Sequence, residues 1–198
     1  ESIEYKDIHI ANQLNFRIKL LGITELINNQ LFERVHPCLV KKDSYIGNVN
    51  GVMNAVIVHG NPIGESILQG EGAGPGATSS ALMSDFLSIL RGNIKYPFGL
   101  PNINRKSVNT YNINNYSNSL YLRLEVRDRP GVLSQITKQL AKRKISVERL
   151  IQIPDHKNKT ASIIIITHKV NELNAQKCLK SLKSIKNILK DPILIRLF

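Results

Sequence analysis

An alternation of apolar and polar residues near the middle of the chain constrains its fold more than any other feature. Within residues 120–126, leucine or valine occupies every second position, and Tyr121, Arg123 and Glu125 occupy the positions between them. Successive side chains of a strand point to opposite faces, so this period of two predicts a half-buried strand whose apolar face packs on a core.

The residues after this strand predict a helix, two strands, a second helix and a last strand. Apolar residues recur at helical spacing from Val132 to Leu140, and Asn171 is suited to cap the second helix. The three strand-like segments are residues 145–153, 161–167 and 193–198. The order βαββαβ is the ferredoxin-like arrangement, in which both helices cover one face of an antiparallel sheet. We expect the other face to be exposed or paired with another subunit.

The first half of the chain predicts a second region of strands and helices. A helix is expected to end near Leu14, followed by two strands around Asn28-Asn29, a hairpin around Gly60-Asn61-Pro62 and a helix over residues 78–91. Residues 102–118 are dense in Asn and Ser, which predicts a linker. The expected fold class is α+β, and the expected divisions are residues 1–101, a linker at 102–118, and residues 119–198.

The formal net charge of +12 is concentrated in the last part of the chain, where residues 119–198 hold 17 Lys/Arg and 6 Asp/Glu. Such a region could bind nucleic acid. Its basic residues are spread along the segment, so we favour a solvated Lys-rich face and expect no nucleic-acid partner. Cys38 and Cys178 form no Cys-x-x-Cys pair, which favours a reduced, cytoplasmic protein without a zinc site. No apolar run reaches the ~18 residues of a membrane helix, so no membrane partner is expected.

The glycine-rich segment Gly70-Glu-Gly-Ala-Gly-Pro-Gly76 follows a predicted strand and precedes a predicted helix. Glycines allow a backbone to approach a ligand closely, and the N–H groups that begin a helix attract negative charge. The spacing matches neither a P-loop nor a dinucleotide-binding fingerprint. An anion-binding loop and a tight turn with close strand–helix packing are therefore both open interpretations.

The segment Asp128-Arg-Pro-Gly-Val-Leu133 connects the central strand to the following helix. A ligand carboxylate could lie against the helix N-terminus while Asp128 binds an ammonium group, a combination that suits a free α-amino acid. A well-formed helix cap is the alternative. The five histidines have no metal-ligand spacing and no Gly-x-Ser-x-Gly elbow is present, so the residues predict no catalytic set and no metal site.

Several segments, taken in order, resemble the homoserine dehydrogenase family. They are Asp7-Ile-His-Ile-Ala11, Phe16-Arg-Ile-Lys-Leu-Leu-Gly22, His36-Pro-Cys-Leu-Val40, Val49-Asn-Gly-Val-Met-Asn-Ala55, Gly64-Glu-Ser66, and Gly70-Glu-Gly-Ala-Gly74 with Thr78 and Asp85. The run Tyr121-Leu-Arg-Leu-Glu-Val-Arg-Asp-Arg-Pro-Gly-Val-Leu133 is similar to the start of the ACT domain that many bacterial members carry. The resemblance covers nearly the whole chain.

This resemblance implies the C-terminal part of a substrate and dimerisation domain in residues 1–101, and a ferredoxin-like ACT regulatory domain in residues 119–198. Members reduce aspartate semialdehyde to homoserine with NAD(P)H, a step towards threonine and methionine. Gly72, with Ala73 and Gly74, corresponds to the loop that approaches the cofactor. The residues that correspond to the turn where ACT domains hold an amino-acid effector are Asp128, Arg129, Gly131, Val132 and Leu133. Threonine is the expected effector, and a dimer or tetramer is the expected assembly.

The chain shows no Rossmann fingerprint, and the family's catalytic Lys and substrate carboxylates would precede Asp7. We therefore expect this chain to be the inactive regulatory and dimerisation portion of an oxidoreductase, with no tightly bound cofactor and no catalytic residue of its own. A stand-alone amino-acid-binding module that regulates a partner protein is the second hypothesis. The chain departs from the family pattern at Asn15, where Gly is usual, and at Pro75-Gly76-Ala77, which alters the path of the glycine loop.

Overall fold

The computed structural model describes residues 3–93, 96 and 99–198, which form four α-helices and eleven strands. In chain order they are α1 (Tyr5–Gln13), β1 (Phe16–Ile27), β2 (Gln30–Lys41), β3 (Met53–Gly60), β4 (Gly64–Glu71), α2 (Pro75–Leu90), β5 (Asn109–Thr110), β6 (Ser117–Asn118), β7 (Leu120–Arg127), α3 (Val132–Lys142), β8 (Val147–Asp155), β9 (Thr160–Thr167), β10 (Val170–Asn171), α4 (Glu172–Lys183) and β11 (Ile193–Leu197). None of these described helices is long and apolar enough to cross a membrane.

The chain folds into two compact units that do not follow its linear order. The residues up to Lys42 pack together with Asn109–Phe198, and we call this part the sheet unit. Asp43–Val108 forms the second part, which we call the hairpin unit. The beginning of the chain therefore folds with its C-terminal part, although 66 residues of the hairpin unit separate them in sequence.

The sheet unit is built on one sheet with the strand order β1-β2-β11-β7-β9-β8. The strands β11, β7, β9 and β8 pair antiparallel, which confirms the predicted βαββαβ arrangement. The β1–β2 hairpin extends this sheet because β2 pairs parallel with β11 at Cys38 and Leu39. Asn28 and Asn29 both have positive φ, 50° and 59°, as a two-residue hairpin turn favours, so the predicted turn is confirmed.

One face of the sheet packs against α3 and α4, as the sequence predicts. The apolar side chains that recur at helical spacing all point into this core. The buried helix residues are Val132, Ile136 and Leu140 of α3 and Ala175, Cys178 and Leu182 of α4. Asn171 begins α4 with the predicted cap, in which its Oδ1 accepts a hydrogen bond of 2.9 Å from the Asn174 N–H.

The second face of the sheet is also covered, and the expectation that it is exposed or paired with another subunit is wrong. Helix α1 of the same chain packs on it through Ile10, Ala11 and Leu14. The strand residues beneath α1 are Tyr121, Ile164, Ile166, Ile193 and Ile195. β7 is therefore buried on both faces rather than half-buried, with Tyr121 0% and Arg123 2% exposed.

The predicted linker contains short strands, and its second half packs on β2. β5 pairs parallel with Gln30 and Leu31 at the start of β2. The ring of Tyr116 stacks on Phe32 with 3.9 Å between centroids, and its hydroxyl donates a 2.6 Å hydrogen bond to Glu25. Aromatic contacts thus hold the Asn-rich segment against the strands of the sheet unit.

The hairpin unit consists of the predicted β3–β4 hairpin followed by α2. α2 begins at Pro75, three residues before the predicted start, because proline is well suited to the first turn of a helix. Helix α2 has no buried residue, and Leu82, Phe86 and Ile89 are 65%, 54% and 68% exposed.

Candidate functional site

The turn between β7 and α3 lines a cavity of about 380 Å³ at the edge of the sheet unit. All of the residues assigned to an effector turn by resemblance lie around this cavity, namely Asp128, Arg129, Gly131, Val132 and Leu133. Gln152 of β8 and Ile163 of β9 complete its wall, so two further strands contribute to the site.

Backbone hydrogen bonds fix the course of this turn. The Arg127 N–H donates to the Asn187 carbonyl and the Asp128 N–H donates to the Lys159 carbonyl, both at 3.0 Å. Gly131 has a φ of 84°, a left-handed conformation that glycine adopts without strain, and α3 begins directly after it. The turn therefore presents the N-terminus of α3, with its partial positive charge, to the cavity.

Gln152 is a site residue that sequence reasoning did not find. Its Nε2 donates a 3.1 Å hydrogen bond to Asp128 Oδ1, which holds the carboxylate at the cavity wall. Gln152 lies opposite Ile163 in the β8–β9 pairing, so strand order brings it to the turn. The only sign in the sequence is a polar residue between Ile151 and Ile153, and that sign does not show which turn the residue will meet.

The cavity offers an acceptor for a cation and a favourable position for an anion. The Asp128 carboxylate can accept hydrogen bonds from an ammonium group, and the start of α3 can stabilise a carboxylate. Val132 and Leu133 add apolar surface. This combination matches the three parts of a free α-amino acid: its ammonium group, its carboxylate and its side chain.

The glycine loop lies in the hairpin unit, between β4 and α2. The Gly72 N–H donates a 2.8 Å hydrogen bond to the Val52 carbonyl, and a Cβ placed on Gly72 would fall 1.6 Å from Nδ2 of Asn54. Gly74 has a φ of 117°, and a Cβ placed on it would meet nothing within 4 Å. Packing against Asn54 within the hairpin unit therefore explains why position 72 is a glycine. The backbone at Gly74, by contrast, is open enough for a ligand to approach.

A cluster of charged and polar side chains, centred on the buried Asp7 and Arg123 and here called the α1 ion cluster, joins α1 to the sheet. It consists of Lys6, Asp7, Tyr121, Arg123, Glu125 and Ser162. The Arg123 guanidinium donates to both carboxylate oxygens of Asp7, at 2.6 and 2.9 Å, and to Glu125 at 2.8 Å. Burial alone lowers the pKa of Arg123, but the hydrogen bonds with Asp7 and Glu125 outweigh burial and raise it.

A second cluster, which we call the Glu172 cluster, joins β2 and β11 to the start of α4. The Glu172 carboxylate accepts hydrogen bonds from Arg196 at 3.0 Å, from Arg34 at 3.2 Å and from Gln176 at 2.7 Å. Neither cluster was predicted, because each joins residues that are far apart in the sequence. In the part of the chain that the structure describes, no group of His, Cys, Asp and Glu side chains is arranged to hold a metal ion.

Comparison with known proteins identifies relatives for both parts of the chain. The homoserine dehydrogenase family model matches residues 1–87, and the ACT domain model matches residues 120–187. A homoserine dehydrogenase of Helicobacter pylori is 34% identical over 100% of this chain and 46% of its own length. One of Neisseria gonorrhoeae is 32% identical over 98% of this chain and 46% of its own length.

Solved structures point to the same family. The crystal structure of a homoserine dehydrogenase from Thiobacillus denitrificans superposes with a TM-score of 0.84 and 31% identity, over 98% of this chain and 45% of that chain. The chain therefore spans a little under half the length of the relatives it matches. It belongs to the homoserine dehydrogenase family, in which it corresponds to the C-terminal part and carries an ACT domain.

Proposed function

We propose that the sheet unit is an effector-binding unit for a free amino acid, with L-threonine as the first candidate. The observation that carries this proposal is the cavity at the β7–α3 turn, where Asp128, Gln152 and the N-terminus of α3 converge. The Asp128 carboxylate binds the ammonium group and the start of α3 binds the carboxylate. Val132 and Leu133 contact the methyl group of the threonine side chain.

The complete protein, in this proposal, is a cytoplasmic, homo-oligomeric oxidoreductase of threonine and methionine biosynthesis. It interconverts aspartate semialdehyde and homoserine, and NAD(P)H supplies the hydride. The open backbone at Gly74 supports a contact with the cofactor through Gly72, Ala73 and Gly74. This chain alone is expected to be inactive, because its sequence shows no dinucleotide-binding fingerprint.

Titration calorimetry of this chain with L-threonine tests the effector site, with L-valine, L-serine and L-methionine as comparison ligands. We expect selective binding of L-threonine, and a loss of affinity of about tenfold or more in Asp128→Asn, because a neutral amide no longer attracts the ammonium group. Asp155→Asn is the matched control, since Asp155 is exposed and bonds to Asn158 outside the cavity. Binding that survives unchanged in Asp128→Asn would contradict the proposed site.

A further inference from the structure

The α1 ion cluster and the proposed effector turn share one strand. Tyr121, Arg123 and Glu125 point from β7 towards α1, and Asp128 follows where the strand ends. Asp128 follows Arg123 by five positions, which is about 17 Å of extended backbone. One strand, hydrogen-bonded to neighbours on both sides, therefore connects the cavity to the ion cluster.

The contact between Arg123 and Asp7 is a buried ion pair with two hydrogen bonds. Their side chains are 2% and 0% exposed, and two hydrogen bonds of 2.6 and 2.9 Å join them. Separating them inside the protein would be costly because each would lose its closest oppositely charged partner, even though Arg123 would keep Glu125 and Asp7 would keep the hydroxyl of Tyr121. Asp7 is also fixed to its own helix, because its Oδ2 accepts a 2.9 Å hydrogen bond from the Glu4 N–H.

A second connection runs parallel to the first. Glu125 accepts hydrogen bonds from Ser162 of β9 at 2.7 Å and from Lys6 of α1 at 3.0 Å. β9 also contributes Ile163 to the cavity, and its neighbour β8 contributes Gln152. Charged and polar groups thus bind α1 to β7 and β9, which both line the cavity. The third strand at the cavity, β8, is the direct neighbour of β9.

We propose that Asp7 is a positioning residue that couples the effector cavity to α1, and through α1 to the part of the enzyme that precedes it in the longer chains of the family. This proposal rests on the proposed function, because the cavity regulates the enzyme only if it takes an effector. An effector that draws Asp128 away from Gln152 displaces the end of β7, and the buried ion pair passes that displacement to α1. The effector then favours the arrangement of α1 that suits the occupied cavity.

A double-mutant cycle in the ligand-free, full-length enzyme tests this coupling without any effector. Gln152→Leu removes the hydrogen bond to Asp128, and Asp7→Asn weakens the ion pair with Arg123. Hydrogen–deuterium exchange of the α1 amides is the readout. When Asp7 is present, we expect Gln152→Leu to change the exchange rates of the α1 amides by about threefold or more. In the Asp7→Asn background we expect no such change. Sites more than about 10 Å apart usually act independently, so this non-additivity would be evidence of coupling. Additive effects would overturn the proposal.

A milder pair of variants keeps the test decisive if Asp7→Asn does not fold. Lys6→Gln removes a partly exposed ion pair of the α1 ion cluster, in which the Lys6 side chain is 42% exposed. Lys183→Gln is its matched control, because Lys183 is 44% exposed and pairs with Asp191 on the opposite side of the sheet from α1. Only Lys6→Gln should reduce the effect of Gln152→Leu on α1 exchange, and equal effects of the two variants would overturn the proposal.

Addition of L-threonine separates this proposal from the proposed function. In the wild-type enzyme L-threonine should slow exchange both in residues 126–133 and in α1, and in Asp7→Asn it should slow exchange in residues 126–133 alone. Protection of α1 that persists in Asp7→Asn would contradict the coupling. An absence of protection in residues 126–133 would contradict the effector assignment, while the ligand-free cycle would still decide the coupling.

Discussion

Glu172 stands at the first position of α4, where Arg196, Arg34 and Gln176 surround its carboxylate. Burial raises the pKa of this carboxyl, but hydrogen bonds from those three side chains outweigh burial and lower the pKa to about 2. A carboxyl whose pKa is lower in the folded than in the unfolded protein stabilises the fold at every pH above its pKa in the unfolded protein. That stabilisation is lost as the pH falls towards the pKa in the folded protein.

We predict that the Glu172 cluster makes the sheet unit sensitive to acid. The shift of the pKa from 4.5 to about 2 corresponds to about 3 kcal/mol of stability at neutral pH, which should disappear between about pH 5 and pH 2. Glu172→Gln should lower the free energy of unfolding at pH 7 and flatten its dependence on pH, as measured by urea unfolding from pH 7 to pH 3. Asp191→Asn, which alters a carboxylate 77% exposed, should keep the wild-type dependence of the unfolding free energy on pH. The same wild-type dependence in Glu172→Gln would contradict the prediction.

Gly72 gives a second prediction at the scale of one residue. Gly72→Ala should destabilise the hairpin unit by about 1 kcal/mol, because the new Cβ falls on the amide of Asn54, which must rotate away. The double variant Gly72→Ala with Asn54→Ala should recover most of this loss in thermal unfolding. Gly70→Ala is the control, since a Cβ there meets nothing within 4 Å. Equal losses in Gly72→Ala and Gly70→Ala would show that Asn54 is not the cause.

Local patterns in the sequence were sufficient to predict the longer helices and strands, but not the two-residue strands β5, β6 and β10, nor the segments that each element contacts. The alternation in β7, the helical spacing in α3 and α4, and the asparagine turn all depend on residues within a few positions of one another. The pairing of Cys38 with Arg196 joins residues more than 150 positions apart, and no local pattern encodes it. One sign of a second covering layer was available, because the four consecutive isoleucines of β9 require that both faces of that strand be buried.

The same reasoning explains which parts of the candidate site were foreseeable. Asp128 and Gly131 lie in one short turn, so a resemblance over a few residues could mark them. Gln152 reaches that turn only through the order of the strands, and Asp7 reaches Arg123 only through the packing of α1. Arg123 and Glu125 were assigned to a face expected to be exposed or paired with another subunit, because Asp7 and Lys6, which contact them, are more than 100 positions away.

Removal of α1, β1 and β2 should prevent the βαββαβ part from folding as a monomer. A fragment of residues 119–198 would expose the five strand residues that α1 now covers, Tyr121, Ile164, Ile166, Ile193 and Ile195. At roughly 2 kcal/mol for each large apolar side chain, the loss is about 10 kcal/mol, which equals the stability of a typical domain. We expect circular dichroism and sedimentation to show that the fragment is unfolded or self-associated. Addition of a peptide of residues 1–42 should restore its monomeric fold.

The design of that peptide provides its own control. A peptide of residues 1–42 carrying Ile10→Asp should fail to restore the fold, because Ile10 is 2% exposed beneath the sheet. A fragment of residues 119–198 that is monomeric and unfolds cooperatively without any added peptide would show that α1 is dispensable for this fold.

For the molecule as a whole, the hairpin unit is an insertion into the chain of the sheet unit. The chain leaves the sheet unit after β2, which ends at Lys41, and returns at Asn109, which pairs with Gln30 at the opposite end of β2. The two junctions are thus separated by nearly the full length of a twelve-residue strand, or about 40 Å. A short replacement cannot bridge this span, whereas a long flexible one can.

Excision of residues 43–108 should therefore leave the sheet unit folded when the linker is long enough. A Gly/Ser linker of about 50 residues has an average reach near 40 Å, whereas one of 8 residues extends to at most about 28 Å. The long-linker variant should unfold cooperatively and bind L-threonine within about threefold of the affinity of the parent chain, because Asp128, Gln152 and α3 all belong to the sheet unit. The short-linker variant should be destabilised, because it must break the pairing of β5 with β2. If both variants were unfolded by circular dichroism, the sheet unit would depend on the hairpin unit for its stability.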